Sequence, residues 1–365
     1  MTDTRRINLA LQGGGSHGAL TWGVLDRLLE DPRLAISEIS GTSAGAMNAV
    51  ALADGYRRGG REGARDSLAR FWKAVSDSTR YSPIQRGIWD RIAGRYSLDY
   101  SPGYLMMESL GRVFSPYELN PLGLNPLRDL LLANVDFTNV NACPDIHVHV
   151  TATNVRTGRA KIFSQGEVSA EAVLASACLP QMSPAVEIDG EAYWDGGFSG
   201  NPALQPLVES DVSDVMIVQI NPVIRHAVPR SAREIINRVN EISFNSSLLK
   251  ELRTFNLLQR AMVLEGVTPG VKRSAFLHLI HVDDEVQDLE ASSKLNAEWG
   301  YLQLLFDRGR RWADTWLESN FDAIGRRSTF DLDDLFEEPK LRPKGTRRLV
   351  EMEGEPVKRR RRRSG

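Results

Sequence analysis

Ile7-Asn-Leu-Ala-Leu-Gln-Gly13-Gly14-Gly15-Ser16-His17-Gly18 is a short apolar run that ends in a cluster of glycines. Ile7 to Leu11 reads as a buried strand. Beyond Gly18, the residues Leu20, Val24, Leu25, Leu28 and Leu29 recur at helical spacing. That pattern stops at Asp31-Pro32, because proline disfavours helix in the residue before it. The unit then repeats: Ala35 to Ser40 reads as a second strand, Gly41-Thr42-Ser43-Ala44-Gly45 as a turn, and Ala44 to Ala53 as a helix of small residues. Strand, glycine turn and helix, twice in succession, imply parallel strands covered by their crossover helices. The chain is therefore expected to be α/β.

Further along, Ile146 to Thr153, Val215 to Ile220 and Ala275 to Val282 read as additional strands. Ser231 to Glu265 is a long helical stretch whose apolar face would draw on Ile235, Ile236, Val239, Ile242, Leu249, Leu252 and Phe255. Ala291 to Phe321 reads as another amphipathic helix or pair. Tyr81 to Cys143 looks irregular, rich in proline and carrying the aromatics Tyr81, Trp89, Tyr96, Tyr100, Tyr104 and Phe114. Its first part, Tyr81 to Phe114, is expected to form a mobile apolar cover over Ser43.

The chain has 365 residues, 42% hydrophobic and 25% charged, which is globular composition and excludes global disorder. Two cysteines, Cys143 and Cys178, imply no disulfide framework, and a cytoplasmic setting is expected. No stretch has the order of a secretory signal or the apolar length of a membrane span. Charge is divided unevenly. Residues 340–365 hold eleven Lys or Arg against three Asp or Glu, a balance of +8, which leaves −10 for residues 1–339. An acidic body makes nucleic acid an improbable main partner. The basic end fits peripheral contact with an anionic inner membrane surface, or else a solvated tail.

Chemistry could reside in three places. Gly13 to Gly18 lies between a strand and a helix, where free N–H groups and the helix dipole favour negative charge. Gly13-x-Gly15-x-x-Gly18 also fits a dinucleotide fingerprint, and Glu38 lies at the distance of its acidic partner, although inside a strand. Gly41-Thr42-Ser43-Ala44-Gly45 is a G-x-S-x-G elbow, in which a sharp turn lifts a serine hydroxyl out at a helix start. A serine that merely caps that helix is the bland alternative. Asp195-Gly196-Gly197 is by itself an ordinary turn signal.

Taken in order, the three motifs resemble the patatin-like phospholipases, a family of serine lipid acyl hydrolases. Ala152-Thr153-Asn154 through Thr157-Gly158, and Ala175-Ser176 through Leu179-Pro180, are similar to it as well. The resemblance implies a three-layer sandwich, its mostly parallel central sheet flanked by helices, with a C-terminal helical extension. It divides the chain into a catalytic part at 7–208, a strand and helical part at 209–330 that completes the fold, and a tail at 331–365. It implies Ser43 as nucleophile, Asp195 as proton acceptor, and an oxyanion hole in Gly13, Gly14, Gly15, Ser16, His17 and Gly18. Gly41, Thr42, Ala44 and Gly45 form the elbow around Ser43, while Gly196 and Gly197 follow the base.

One departure is plain: His17 stands where the family has arginine or lysine, so a cation there would depend on pH. The implied scheme needs neither metal nor cofactor, and its substrate would be a lipid ester. A thioesterase, or an esterase for short-chain or storage-polyester substrates, would share the same chemistry. A Ser-His-Asp triad using His278 or His281, and a silent lipid-binding protein, complete the alternatives. His147, His149 and His226 are expected to play no catalytic part.

Overall fold

The computed structural model describes residues 4–225, 227–264, 275–281, 285–286 and 289–332. His226, most of the acidic stretch from Asp331 to Glu338 and the whole basic tail lie outside the described residues.

Strands β1 (Arg5–Leu11), β2 (Leu34–Gly41) and β3 (His147–Asn154) run parallel, as do β1 and β7 (Asp214–Val218), and β7 and β8 (Phe276–Ile280). Beyond β3 the pairing turns antiparallel, through β4 (Ala160–Phe163), β5 (Val186–Ile188) and β6 (Glu191–Asp195). The eight strands among the described residues belong to one sheet, in the order β5-β6-β3-β2-β1-β7-β8 with β4 added on β3. Successive side chains of a strand point to opposite faces. Accordingly Leu9, Leu11, Met216 and Val218 join a large core, whereas Ala10, Val215 and Ile217 join a smaller one behind the sheet. Helices α1 (Gly18–Glu30) and α2 (Ala44–Ser78) pack into the large core, and α9 (Gln205–Val208) and α10 (Ala232–Leu264) lie against the smaller one. The central, mostly parallel sheet flanked by helices is the fold the sequence implies.

Register fixes the site. Leu11 pairs with both Gly41 and Val218, Gly41 with Val150, and Val218 with Ile280. The parallel strands thus end in line, and the segments after them, Gln12–Gly18, Thr42–Ser43 and Gln219–Asn221, leave the same edge of the sheet. Ligands of open α/β sheets bind at this carboxyl edge.

Three local expectations need correction. The helix that starts at Ala44 does not end near Ala53; it continues to Ser78 across a break at Gly59-Gly60, where the backbone leaves helical angles. The returning arm buries Ala64, Leu68, Phe71 and Trp72. The stretch from Tyr81 to Cys143 is not irregular, because it holds α3 (Ile88–Ile92), α4 (Pro102–Leu110), α5 (Pro116–Leu119), α6 (Pro126–Asn134) and α7 (Phe137–Asn141). Three of its prolines, Pro102, Pro116 and Pro126, start helices, as the fixed φ and missing N–H of proline suit a first helical position. Neither α4 nor α5 buries a residue, and Tyr81, Trp89, Ile92, Tyr100 and Met106 are exposed.

In α10, Ile235, Ile236, Val239 and Ile242 are about half exposed rather than buried. The inward stripe is Glu241, Asn245, Leu248 and Leu252, which is polar where the helix meets the site and apolar beyond it. After α8 (Ala170–Ser176), the last long element is α11 (Trp299–Asn320), preceded by a 3₁₀ turn at Ala291–Leu295.

Candidate active site

Ser43 occupies the first position before α2, with φ 54° and ψ −120°. A non-glycine residue in that region costs about 1–3 kcal/mol and persists only where its surroundings enforce it. Here Leu11 O accepts from Thr42 N, Gly200 O from Thr42 Oγ1 (2.6 Å), and Ser176 Oγ from Ser43 N (2.8 Å). A Cβ on Gly41 would strike Gly45, and one on Gly45 would strike the Leu11 carbonyl, so the elbow closes only with glycine at both places. The Ser43 side chain does not cap α2. The capping alternative fails on that ground, and the hydroxyl is near enough to Asp195 to help hold down that carboxyl's pKa.

Asp195 ends β6, opposite Ala152 of β3, and is 1% exposed. Its backbone N–H donates to Cys178 O, and Gly197 N–H donates to Asp195 Oδ1, both at 2.7 Å. Burial pushes its pKa up to about 7; the Gly197 N–H, the Ser43 hydroxyl and the charge of Lys294 pull the other way. Asp-Gly-Gly is therefore more than a turn. Gly196 lies so close to Thr151 O that a side chain could not fit, and Gly197 supplies the donor.

The glycine-rich loop is narrower as a donor set than its motif. Gly13 N–H donates to Asn201 Oδ1 (2.7 Å), His17 N–H to Gly14 O, and Gly18 N–H to Gly15 O and Ser16 O. Those three donors are occupied, which leaves the N–H groups of Gly14, Gly15 and Ser16 as the loop's candidates for an oxyanion. Ala44 N–H, at the first turn of α2, lies on the other side of Ser43.

His17 is not a cation here. It is buried, and desolvation, followed by the charges of Lys294 and Arg225, lowers its pKa well below the ordinary histidine value. Ser293 Oγ donates to Glu290 O and accepts from Tyr301 OH (2.9 Å), so its bond to His17 Nε2 (2.8 Å) requires a proton on that nitrogen.

The other described histidines lie in or beside the sheet, away from Ser43. His149 bridges Ser164 and Glu38, both at 3.0 Å, and His278 bridges Asp214 (2.9 Å) and Thr329 (3.2 Å). His281 Nδ1 meets Gln219 O, and His147 is exposed. Glu38 accepts from Ser210 as well as facing His149, so the acidic partner of a dinucleotide site is committed elsewhere.

Several site residues escaped the sequence reading. Gln12 Oε1 accepts from the N–H groups of Ile220 and Asn221, both at 3.0 Å. Asn221 Nδ2 donates to Gly13 O (2.7 Å), and Lys294 Nζ to Asn221 Oδ1 (2.8 Å). No spacing announces this group, since it joins residues 12, 221 and 294. Ser176, in the Ala175–Pro180 stretch, is equally unmarked, and only its bond from Ser43 N shows its place.

The site thus places a serine in strained backbone at the carboxyl edge of a parallel sheet, near a buried carboxylate. The family model of the patatin-like phospholipases matches residues 9–208, and the chain belongs to that family. At the level of the family it is a lipid hydrolase. Among solved structures, VipD from Legionella pneumophila is 14% identical with a TM-score of 0.34, covering 84% of this chain and 67% of that one. The type III effector protein ExoU is also 14% identical with a TM-score of 0.26, covering 83% of this chain and 54% of that one. This chain thus spans about half the length of ExoU. Comparison with curated protein sequences gives no match.

Proposed function

We propose that the protein cleaves carboxylic esters of lipids, phospholipids included, through Ser43 and Asp195. The observation that carries this reading is Ser43 in strained backbone at the start of a helix, beside a buried Asp195 whose pKa burial raises to about 7. An ordinary aspartate, at about 3.9, is a feeble base toward an alcohol. Asp195 is stronger, yet still ionised in a large fraction of molecules at neutral pH.

In the first half-reaction Ser43 Oγ bonds to the ester carbonyl carbon, its proton passes to Asp195, and the carbonyl oxygen takes the negative charge. The N–H groups of Gly14, Gly15, Ser16 and Ala44 stabilise that oxyanion. Collapse breaks the bond to the alcohol, which leaves with the proton held by Asp195. Water then attacks the acyl-Ser43 ester, gives its proton to Asp195, and releases the fatty acid as Ser43 is restored. The positive end of α2 points at the same place and favours the developing charge.

Ser43→Ala should lower hydrolysis by at least about a thousandfold with an unchanged melting temperature. A fluorophosphonate should label the wild type at Ser43 and leave the variant unlabelled. Turnover in Ser43→Ala at a rate near wild type would overturn the reading. Among the described residues no helix is long and apolar enough to cross a membrane. Access to lipid would then come from the surface, and the basic 340–365 segment supports contact with anionic headgroups.

A further inference from the structure

We infer that Lys294 serves the Ser43–Asp195 chemistry as a positioning residue, fastening the glycine-rich loop through Asn221 and setting a positive charge opposite Asp195. The inference rests on the reading of the preceding section. Lys294 lies far outside the family-matched span of residues 9–208.

The 3₁₀ turn Ala291–Leu295 is built against the loop at three points. Ser293 Oγ bonds to His17 Nε2 at 2.8 Å. The Lys294 carbonyl lies against Gly15, whose φ is 58°, and a side chain at Gly15 would collide with it. Lys294 Nζ donates to Asn221 Oδ1 at 2.8 Å, and Asn221 Nδ2 donates to Gly13 O at 2.7 Å. Asn201 holds the other side of Gly13 through its N–H. A Cβ on Gly13 would fall 2.8 Å from Ser43 Cβ, so the clamped glycine lies directly against the nucleophile. The path from the ammonium to Ser43 is two hydrogen bonds and one packing contact.

The charges around Lys294 come from four elements. Glu241 on α10 faces it, Arg225 lies in the loop after β7, Asp195 ends β6, and neutral His17 sits in the first loop. Glu241 is paired with Arg225 at 2.6 Å and with Arg238 at 3.2 Å. Summed over Lys294, Arg225, Arg238, Glu241 and Asp195, the formal charge is +1 with Asp195 ionised and +2 with it protonated. Of these charges Lys294 is the one that favours ionised Asp195, against the larger opposing effect of burial. Burial draws the Lys294 ammonium below the ordinary lysine value, Glu241 and Asp195 restoring part of it.

The test is the pH profile of kcat/KM on a soluble short-chain ester, for the full chain and for Lys294→Gln, Lys294→Arg and Ser43→Ala. In the wild type the acid limb should titrate near pH 7. Lys294→Gln keeps a donor but no charge, so the limb should move up by about one pH unit and the rate at pH 6 should fall about tenfold further than the alkaline plateau. Lys294→Arg should return the limb toward wild type. If the glutamine variant does not fold, Lys294→Met is read in the same way. An unmoved limb, or an equal loss at every pH that arginine does not rescue, would overturn the inference. Full hydrolysis in Ser43→Ala would instead defeat the Ser43–Asp195 reading.

Discussion

Asp195 pays for its reactivity in stability. Its pKa is about 7 when folded and near 3.8 when exposed, so folding takes up a proton between those values. Stability is therefore highest below about pH 4 as far as this group is concerned, and falls as pH rises toward 7. Asp195→Asn keeps the shape and removes the charge. It should abolish hydrolysis yet stabilise the fold at pH 8, on the order of 4 kcal/mol with the charge of Lys294 already counted. Urea unfolding of both proteins at pH 8 and pH 4 checks this: the gain should be present at the higher pH and absent at the lower. Equal stability at pH 8 would mean that the carboxylate is not charged in a desolvated place. His17 works in the opposite sense: its folded pKa is lowered, so stability falls as pH drops from about 6.5 toward that lowered value.

Helices α1 and α11 touch backbone to backbone. A Cβ on Gly23 would strike Phe306 O, and one on Gly309 would strike Leu20 O, each glycine seated on the opposing helix. Trp22 fills the crossing and packs tilted against Phe306, ring centroids 4.1 Å apart. Because α1 begins directly after the glycine-rich loop, this crossing sets where the loop sits. Gly309→Val should force the helices apart and cost about 3 kcal/mol or more. A melting temperature within a degree of wild type would contradict the close crossing. The exposed apolar side chains of α3 to α5 share no such packing; Tyr117 OH, which accepts from Ala185 N at 3.1 Å, is one of the bonds tying them to the loop after α8.

At the scale of the molecule, β1 stands between β2 and β7, and α11 covers α1. Residues beyond 208 therefore complete the sheet, the core and, through Lys294, the loop beside Ser43. Charge is divided at this scale as well. The basic segment 340–365 lies outside the described residues, and its +8 opposes −10 in the rest of the chain. Each Lys or Arg near an anionic surface contributes about 1 kcal/mol within a Debye length. Deleting 340–365 should weaken sedimentation with anionic vesicles in a salt-sensitive manner, while hydrolysis of a soluble ester stays unchanged. Equal vesicle binding at low salt would leave the segment no such role.

Local order was written in the sequence wherever a short-range cause produces it. Apolar runs and glycine turns indicated β1, β2 and their helices, and the elbow spacing singled out Ser43, because an elbow is made by neighbours along the chain, whereas Asp195 stood out only through the family resemblance. The prolines of 102, 116 and 126 misled, since a proline that starts a helix and one that breaks a loop look alike without the following turn. The face of α10 misled for a related reason: Glu241 and Asn245 point inward only because Arg225, Gln12 and Lys294 meet them there. The neutrality of His17, the raised pKa of Asp195 and the clamp from Lys294 to Gly13 were decided by tertiary structure alone. Desolvation and charge depend on what surrounds a group in space, and these neighbours lie up to 281 positions apart, from Gly13 to Lys294.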